Sequence, residues 1–251
     1  MTLFATALAV SSGRPAVGVV AVAAAVGSGQ LSVGWSNDLI DRGRDAAGGR
    51  TDKPVVVGDL APGTLAVATA AALVACVPLS FASGGRAGSA HLAAVAGAWA
   101  YNLGLKGTRL SVVPYAGSFA LLPAFVVLGL PGHPAPQWWL PLAGALLGSG
   151  AHFANVLPDL DADARAGVRG LPQRLGATGV RASAALLLAA GSVVAVLGPG
   201  SSRVWQVSAL AAVAGLTGLG LRLDDRYAFR AAMAVAAIDV ALVIAAGTRP
   251  G

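Results

Sequence analysis

The residues in this chain best suited to chemistry are oxygen ligands at a regular spacing. Asn37, Asp41 and Asp45 stand at i, i+4 and i+8 in the run NDLIDRGRD, with Asp38 beside the first. On a continuing helix this spacing drifts by only about 40° per step, so the three side chains share one face. The pattern returns about 118 residues later in NVLPDLDAD, as Asn155, Asp159 and Asp163. Carboxylates stacked in this way repel one another, by a few tenths of a kcal/mol per exposed pair and by more when partly buried. A divalent cation reverses the sign. Hard oxygen ligands without Cys point to magnesium or manganese rather than zinc, and magnesium usually takes one or two carboxylates and leaves its other positions to water and phosphate. Arg50, Lys53, Lys106, Arg109, Arg169 and Arg174 lie beside the two runs or between them. They can neutralise phosphate oxygens that a metal leaves uncovered, which completes a diphosphate site. A solvated loop with Asp and Arg mixed for solubility would account for either run alone. It does not account for two runs with one spacing.

The elements that must position these residues are membrane helices. Of the 251 residues, 56% are hydrophobic and only 11% are charged. With a mean hydropathy of +0.72, the composition lies outside the range of water-soluble domains. Apolar runs predict eight spans, near 15–36, 60–82, 89–105, 112–131, 138–157, 181–199, 203–221 and 228–247, each about the length that crosses a hydrocarbon core. They form an all-α, multi-pass bundle, with residues 1–251 read as a single transmembrane domain. Gly, Ala and Ser within the spans let helix backbones approach closely in lipid. Met1 to Ser12 is too short to span and reads as half of a helix that begins upstream. Arg14 follows that stretch instead of preceding it, so no cleaved signal is expected.

Eight spans sort the loops onto two sides. The loops 37–59, 106–111, 158–181 and 222–230 hold thirteen of the 17 Lys and Arg residues, and Arg14, Arg86, Arg203 and Arg249 lie opposite. The basic side is therefore expected to be cytoplasmic, in the cell membrane, with anionic lipid as its surroundings. The net charge of +6 is explained by these loops, and no nucleic-acid partner is expected. Ten of the eleven acidic residues, all Asp, share that side, which the orientation rule does not require. Both clusters thus face one compartment.

These residues resemble the UbiA superfamily of intramembrane prenyltransferases. The run Asn37 to Asp45 is similar to its first motif, NDxxDxxxD, and the TDKP that follows contains Lys53, a candidate diphosphate contact. Asn155 to Asp163, followed by GVRGLPQRLG, resembles the second motif and its sequel, although many members carry Asp where this chain has Asn155. The segment YNLGLK, Tyr101 to Lys106, resembles a further conserved stretch that ends in a diphosphate-binding lysine. The resemblance implies a bundle of nine helices around a central cavity open to the cytoplasmic side, whereas eight spans are read here. It also implies two magnesium ions held by Asn37, Asp38, Asp41, Asp45, Asn155, Asp159 and Asp163. Asp41 and Asp159 would be the central catalytic carboxylates. The partners would be a prenyl diphosphate donor, a lipophilic or aromatic small-molecule acceptor and membrane lipid.

Two other classes fit less well. A CDP-alcohol phosphotransferase would carry DxxDGxxAR, yet Asp41 is followed by Arg42. A cation transporter would place acids at mid-depth, and only Asp239 lies inside a span, where a helix-packing hydrogen bond is the simpler reading. Cys76 reads as a small core residue. Trp138, Trp139 and Trp205 read as interface anchors, and His91 and His133 as loop or interface residues far from the Asp clusters. His152, one turn before Asn155, reads as a neighbour of the cavity, and Asp52 and Asp161 as loop residues.

Overall fold

The computed structural model describes residues 1–165, 167–200, 204–222 and 224–246, with Asp225 described by its backbone alone. Arg203 and Arg249, and the outer ends of the spans expected at 203–221 and 228–247, lie outside the described residues. The helices are α1 (Thr2–Ser11), α2 (Ala16–Ala47), α3 (Pro54–Val57), α4 (Pro62–Phe81), α5 (Gly85–Leu103), α6 (Val112–Leu128), α7 (Trp139–Val156), α8 (Leu160–Arg165), α9 (Leu171–Leu197), α10 (Val204–Arg222) and α11 (Asp225–Ala246). No strand occurs among the described residues.

Each expected span corresponds to one helix. Among the described residues six helices are both long and apolar enough to cross a bilayer: α2, α4, α7 with its continuation into α8, α9, α10 and α11. Large apolar side chains such as Val17, Val20, Val67, Val74 and Leu186 are exposed around the outside, as a lipid-facing surface requires. The protein is a multi-pass membrane protein. Consecutive helices pack around a ring, and α1 closes it against α2, α6 and α11. Although only 10 residues long, α1 buries Ala5, Leu8 and Ala9 completely. These join Val22 and Val26 of α2, Phe125 of α6 and Leu242 of α11 in the main core.

Small residues set the closest approaches. A Cβ on Gly148 of α7 would lie 2.5 Å from the Phe119 side chain and 2.6 Å from the Tyr115 carbonyl of α6. Only glycine lets these helices meet there. Trp139 corrects the anchor reading: it is 2% exposed, its ring fills the space left by the missing side chain of Gly198, and its Nε1 donates to Gln137 Oε1 at 2.6 Å. Trp138 and Trp205 are exposed, as anchors should be. Asp239 is buried and accepts a hydrogen bond from Ser192 Oγ of α9, which is the packing role expected of it.

Candidate active site

The first cluster depends on α2 continuing beyond its apolar part. The helix runs on to Ala47 and keeps Asn37, Asp41 and Asp45 on one face. It ends in a Schellman turn: Gly49 takes φ +72°, its N–H donates to Ala46 O at 3.1 Å, and Arg50 N–H donates to Asp45 O at 3.0 Å. Glycine favours this left-handed position because it has no Cβ. The turn sends the chain back along α2, and Lys53 then reaches Asp38 at 2.9 Å and Asp45 at 2.7 Å. Those two carboxylates are seven residues apart, two turns on the same side of the helix. Burial disfavours the charge on Lys53, yet its hydrogen bonds to Asp45 and Asp38 outweigh that and hold its pKa above the ordinary lysine value. Arg50 pairs instead with Asp52 at 2.8 Å in the exposed loop. That bond pushes Arg50 up and holds Asp52 at about 2.

Asp41 lies at the centre of this face. Its side chain is 8% exposed and accepts from Lys106 Nζ, while Arg44 Nη2 stands 2.6 Å from its other oxygen. Lys106 comes from the short 3₁₀ turn Leu105–Gly107 after α5, so the YNLGLK segment meets the first cluster directly.

The second cluster is built differently from its expected form. Pro158 has no N–H to continue the α-helical bonds, and α7 tightens into a 3₁₀ turn, Leu157–Asp159, before α8 resumes. Asn155, Asp159 and Asp163 are therefore spread over the end of α7, the 3₁₀ turn and α8, and not along one uninterrupted α-helix. Asn155 and Asp159 are exposed and Asp163 is half-buried. Gln173 Nε2 donates to Asp163 Oδ2 at 2.8 Å.

The two clusters face each other. Arg50 lies within electrostatic reach of both Asp45 and Asp159, and Asp163 within reach of Arg44 and Lys106. The sequel to the second run is fitted against the first: a Cβ on Gly170 would meet Lys106 O at 2.5 Å. Ser111 ties three elements together here. Its Oγ accepts from Leu171 N–H at 3.2 Å and shares a 3.1 Å hydrogen bond with His152 Nε2. Arg174 Nε donates to the Arg169 carbonyl at 2.9 Å. Arg109, Arg169 and Arg174 are exposed, and none of the three makes an ion pair among the described residues.

From this end a cavity of about 450 Å³ runs between α2, α5 and α6, with Asn37, Tyr101 and Tyr115 near the cluster and Gln30, His91 and Leu122 deeper. His91 is thus a buried residue of the cavity wall and not a loop or interface residue. It is 2% exposed, shares a 2.7 Å hydrogen bond with Ser80 Oγ and stacks on Phe125 at 4.7 Å. His152 does not line the cavity; it packs behind Tyr115, with ring centroids 4.7 Å apart.

Among the described residues no three acidic, His or Cys side chains converge closely enough to hold a metal by themselves. The donor set nevertheless suits a hard cation. Asp38, Asp41 and Asp45 each already meet a cationic group of the chain, and magnesium needs only one or two carboxylates with water and phosphate. Residues not anticipated from sequence include Arg44, readable afterwards as an i, i+3 partner of Asp41, and Gln173, which no spacing rule marks.

Comparison with known proteins agrees with this architecture. A UbiA homolog from Aeropyrum pernix K1, in its apo form, superposes with a TM-score of 0.77 at 20% identity, covering 97% of this chain and 95% of that one. A UbiA homolog from Archaeoglobus fulgidus bound to DMAPP and Mg2+ gives 0.68 at 18% identity, covering 98% and 94%. The structure described for digeranylgeranylglyceryl phosphate synthase gives 0.68 at 15%, covering 98% and 89%. No curated protein sequence matches the chain. The model of the UbiA prenyltransferase family matches residues 1–242, and the chain belongs to that family.

Proposed function

We propose that this protein transfers a prenyl group from a prenyl diphosphate to a lipophilic acceptor inside the membrane, with its Asp-rich end in the cytoplasm and the chain acting as one domain. The observation that carries the reading is the joining of the two Asp runs at the mouth of the cavity beside Asn37, where Lys106 pairs with Asp41 and its carbonyl packs against Gly170 of the stretch after the second run. Family membership and the prenyl diphosphate and Mg2+ bound by structural relatives support it.

In this reading Asn37, Asp38, Asp41 and Asp45 would hold one magnesium ion, and Asn155, Asp159 and Asp163 would hold another. When bound, the metal supplies neutralisation of the charge that develops on the leaving diphosphate. Lys53, Lys106, Arg50, Arg109, Arg169 and Arg174 take the remaining phosphate oxygens, and the first two exchange carboxylate for phosphate partners as the donor enters. Asp41 and Asp159 orient the assembly from the centre of each cluster. The bond from donor C1 to the diphosphate oxygen breaks with its electron pair on oxygen, and the acceptor forms the new bond to C1. Tyr101 and Tyr115, at the cavity mouth, place aromatic faces where positive charge on the allylic carbon is best tolerated. The apolar middle of the cavity excludes water that would otherwise trap that carbon.

The test is turnover by purified protein in detergent with a labelled prenyl diphosphate, magnesium and a membrane lipid extract as acceptor source. Magnesium-dependent formation of a prenylated lipid and free diphosphate is expected. A metal-independent reaction, or none with any donor length, would overturn the reading.

A further inference from the structure

A second cleft, of about 760 Å³, opens at the end of the bundle that carries the Asp clusters, and it shares no lining residue with the central cavity. We propose that it holds the headgroup of an anionic phosphodiester lipid, with Arg226 and Arg230 of α11 on the phosphate.

The cleft lies where helical order is interrupted. Pro158 ends the regular part of α7, and α9 bends at Gly176, which takes φ +67°. The start of α11 meets both from the side. Leu157, Pro158, Ala177 and Phe229 give the cleft an apolar lining, and Arg226 and Arg230 are its cations.

The two arginines stand at i and i+4, so they share one face of α11. Like charges at that spacing repel. Neither has an acid three or four residues away, and neither forms an ion pair among the described residues. Asp224, the described acid nearest in sequence, is two residues before Arg226, a spacing that does not bring side chains together on a helix. Arg230 is held over the ring of Tyr227, with Cζ 5.9 Å from the centroid. A guanidinium stacked in this way keeps its N–H edge for an anion. A phosphate taken by both arginines turns their repulsion into attraction.

Asp161 is the one acid among the described residues of the lining. Two guanidinium groups and one carboxylate leave a single net positive charge, which matches a phosphodiester better than a diphosphate. Asp161 then accepts from hydroxyl groups of the headgroup beyond the phosphate.

The surroundings favour a lipid over a soluble phosphate. Leu175, beside the bend of α9, is 46% exposed, and Tyr227 is 51% exposed. Exposed apolar and aromatic side chains at the end of spanning helices mark the level of the lipid headgroups, where basic side chains attract anionic lipid. Gln173 lines the cleft and also donates to Asp163, so a bound headgroup braces the second Asp run from its outer side.

The test is native mass spectrometry of the delipidated protein in detergent, titrated with phosphatidylglycerol, phosphatidylethanolamine or phosphatidylcholine of the same acyl chains. The native chain should bind one phosphatidylglycerol at least tenfold more tightly than either of the others, a result that needs no variant. Joint substitution Arg226→Gln and Arg230→Gln should abolish the preference. Arg222→Gln, which removes one charge at the same end outside the cleft, should keep it. Thermal unfolding shows that each variant remains folded. Equal binding of the three lipids, or preference for phosphatidylethanolamine, would overturn the anionic class. A preference that survives the joint substitution, or is lost equally in Arg222→Gln, would overturn the site. Displacement of the lipid by an equal concentration of glycerol 3-phosphate would overturn the lipid in favour of a soluble phosphate.

Discussion

Lys106, in the turn after α5, donates its ammonium group to the buried carboxylate of Asp41 on α2, 65 residues earlier in the chain. The pair joins the central residue of the first Asp run to the end of YNLGLK. Gly170 packs on the carbonyl of the same lysine, so the second run is brought to the pair as well. Much of the site is positioned from this one point.

Lys106→Met should therefore lower prenyl transfer about 100-fold, the size of effect found when one preorganised charge or donor is removed from a developing anion. Lys106→Arg should recover part of it, since the charge remains but the planar fork cannot copy the ammonium. Steady-state turnover with saturating acceptor checks both. Equal activity in Lys106→Met and the native protein would remove the lysine from the site.

Lys53 bridges Asp38 and Asp45, and its substitution by Met should weaken donor affinity about tenfold and leave two carboxylates unmatched. The bridge should be insensitive to pH in the neutral range. Its pKa lies above the ordinary value, so its stabilisation is fully present below about pH 10 and is lost only as pH rises through the raised value. The neighbouring Asp52, held at about 2, contributes above about pH 4 and is lost as pH falls through its depressed value. Limited proteolysis of residues 48–53 should give the same rate at pH 5.5 and pH 8.5. A marked change between them would mean that another group controls the loop.

Gly148→Val should destabilise the bundle by about 1 to 3 kcal/mol, the usual cost of overpacking, because its Cβ has no space against Phe119. Gly117→Ala, on α6 with nothing within 4 Å, should be neutral or slightly stabilising. Thermal unfolding in detergent, read for both variants, separates close helix approach from general loss of glycine.

Ser111→Ala removes the hydrogen bonds to His152 and to the first N–H of α9. A cost of about 1 to 3 kcal/mol follows, since each partner is left unsatisfied. Donor KM should rise more than acceptor KM, because the start of α9 carries Gln173 and Arg174 beside the second cluster. An equal rise in both would assign Ser111 to stability alone.

The helices and the first cluster were legible because each depends on local sequence. Apolar runs of bilayer length mark α2, α4 and their successors, and the spacing of Asn37, Asp41 and Asp45 survives because α2 stays regular to Ala47. The second cluster was legible only as residue types. Pro158 breaks the α-helical geometry at its centre, and spacing then no longer predicts a shared face. α9 begins at Leu171, ten residues before the expected span, and bends at Gly176, because its first turns are polar and carry no membrane signal. The role of His91 was hidden for another reason. Its position in the cavity wall follows from how α5 meets α2 and α6, a contact between distant segments that no local pattern encodes. Trp139 is similar: its burial depends on Gly198, 59 residues later in the chain.

The most direct test of the two-cluster site is binding of geranylgeranyl diphosphate to the purified protein, with and without magnesium, for the native chain, Asp41→Ala and Asp159→Ala. Magnesium-dependent binding by the native protein, weakened at least tenfold in each variant while both remain folded, is the predicted result. Binding that is indifferent to magnesium and to both substitutions would show that the two Asp clusters do not hold the donor.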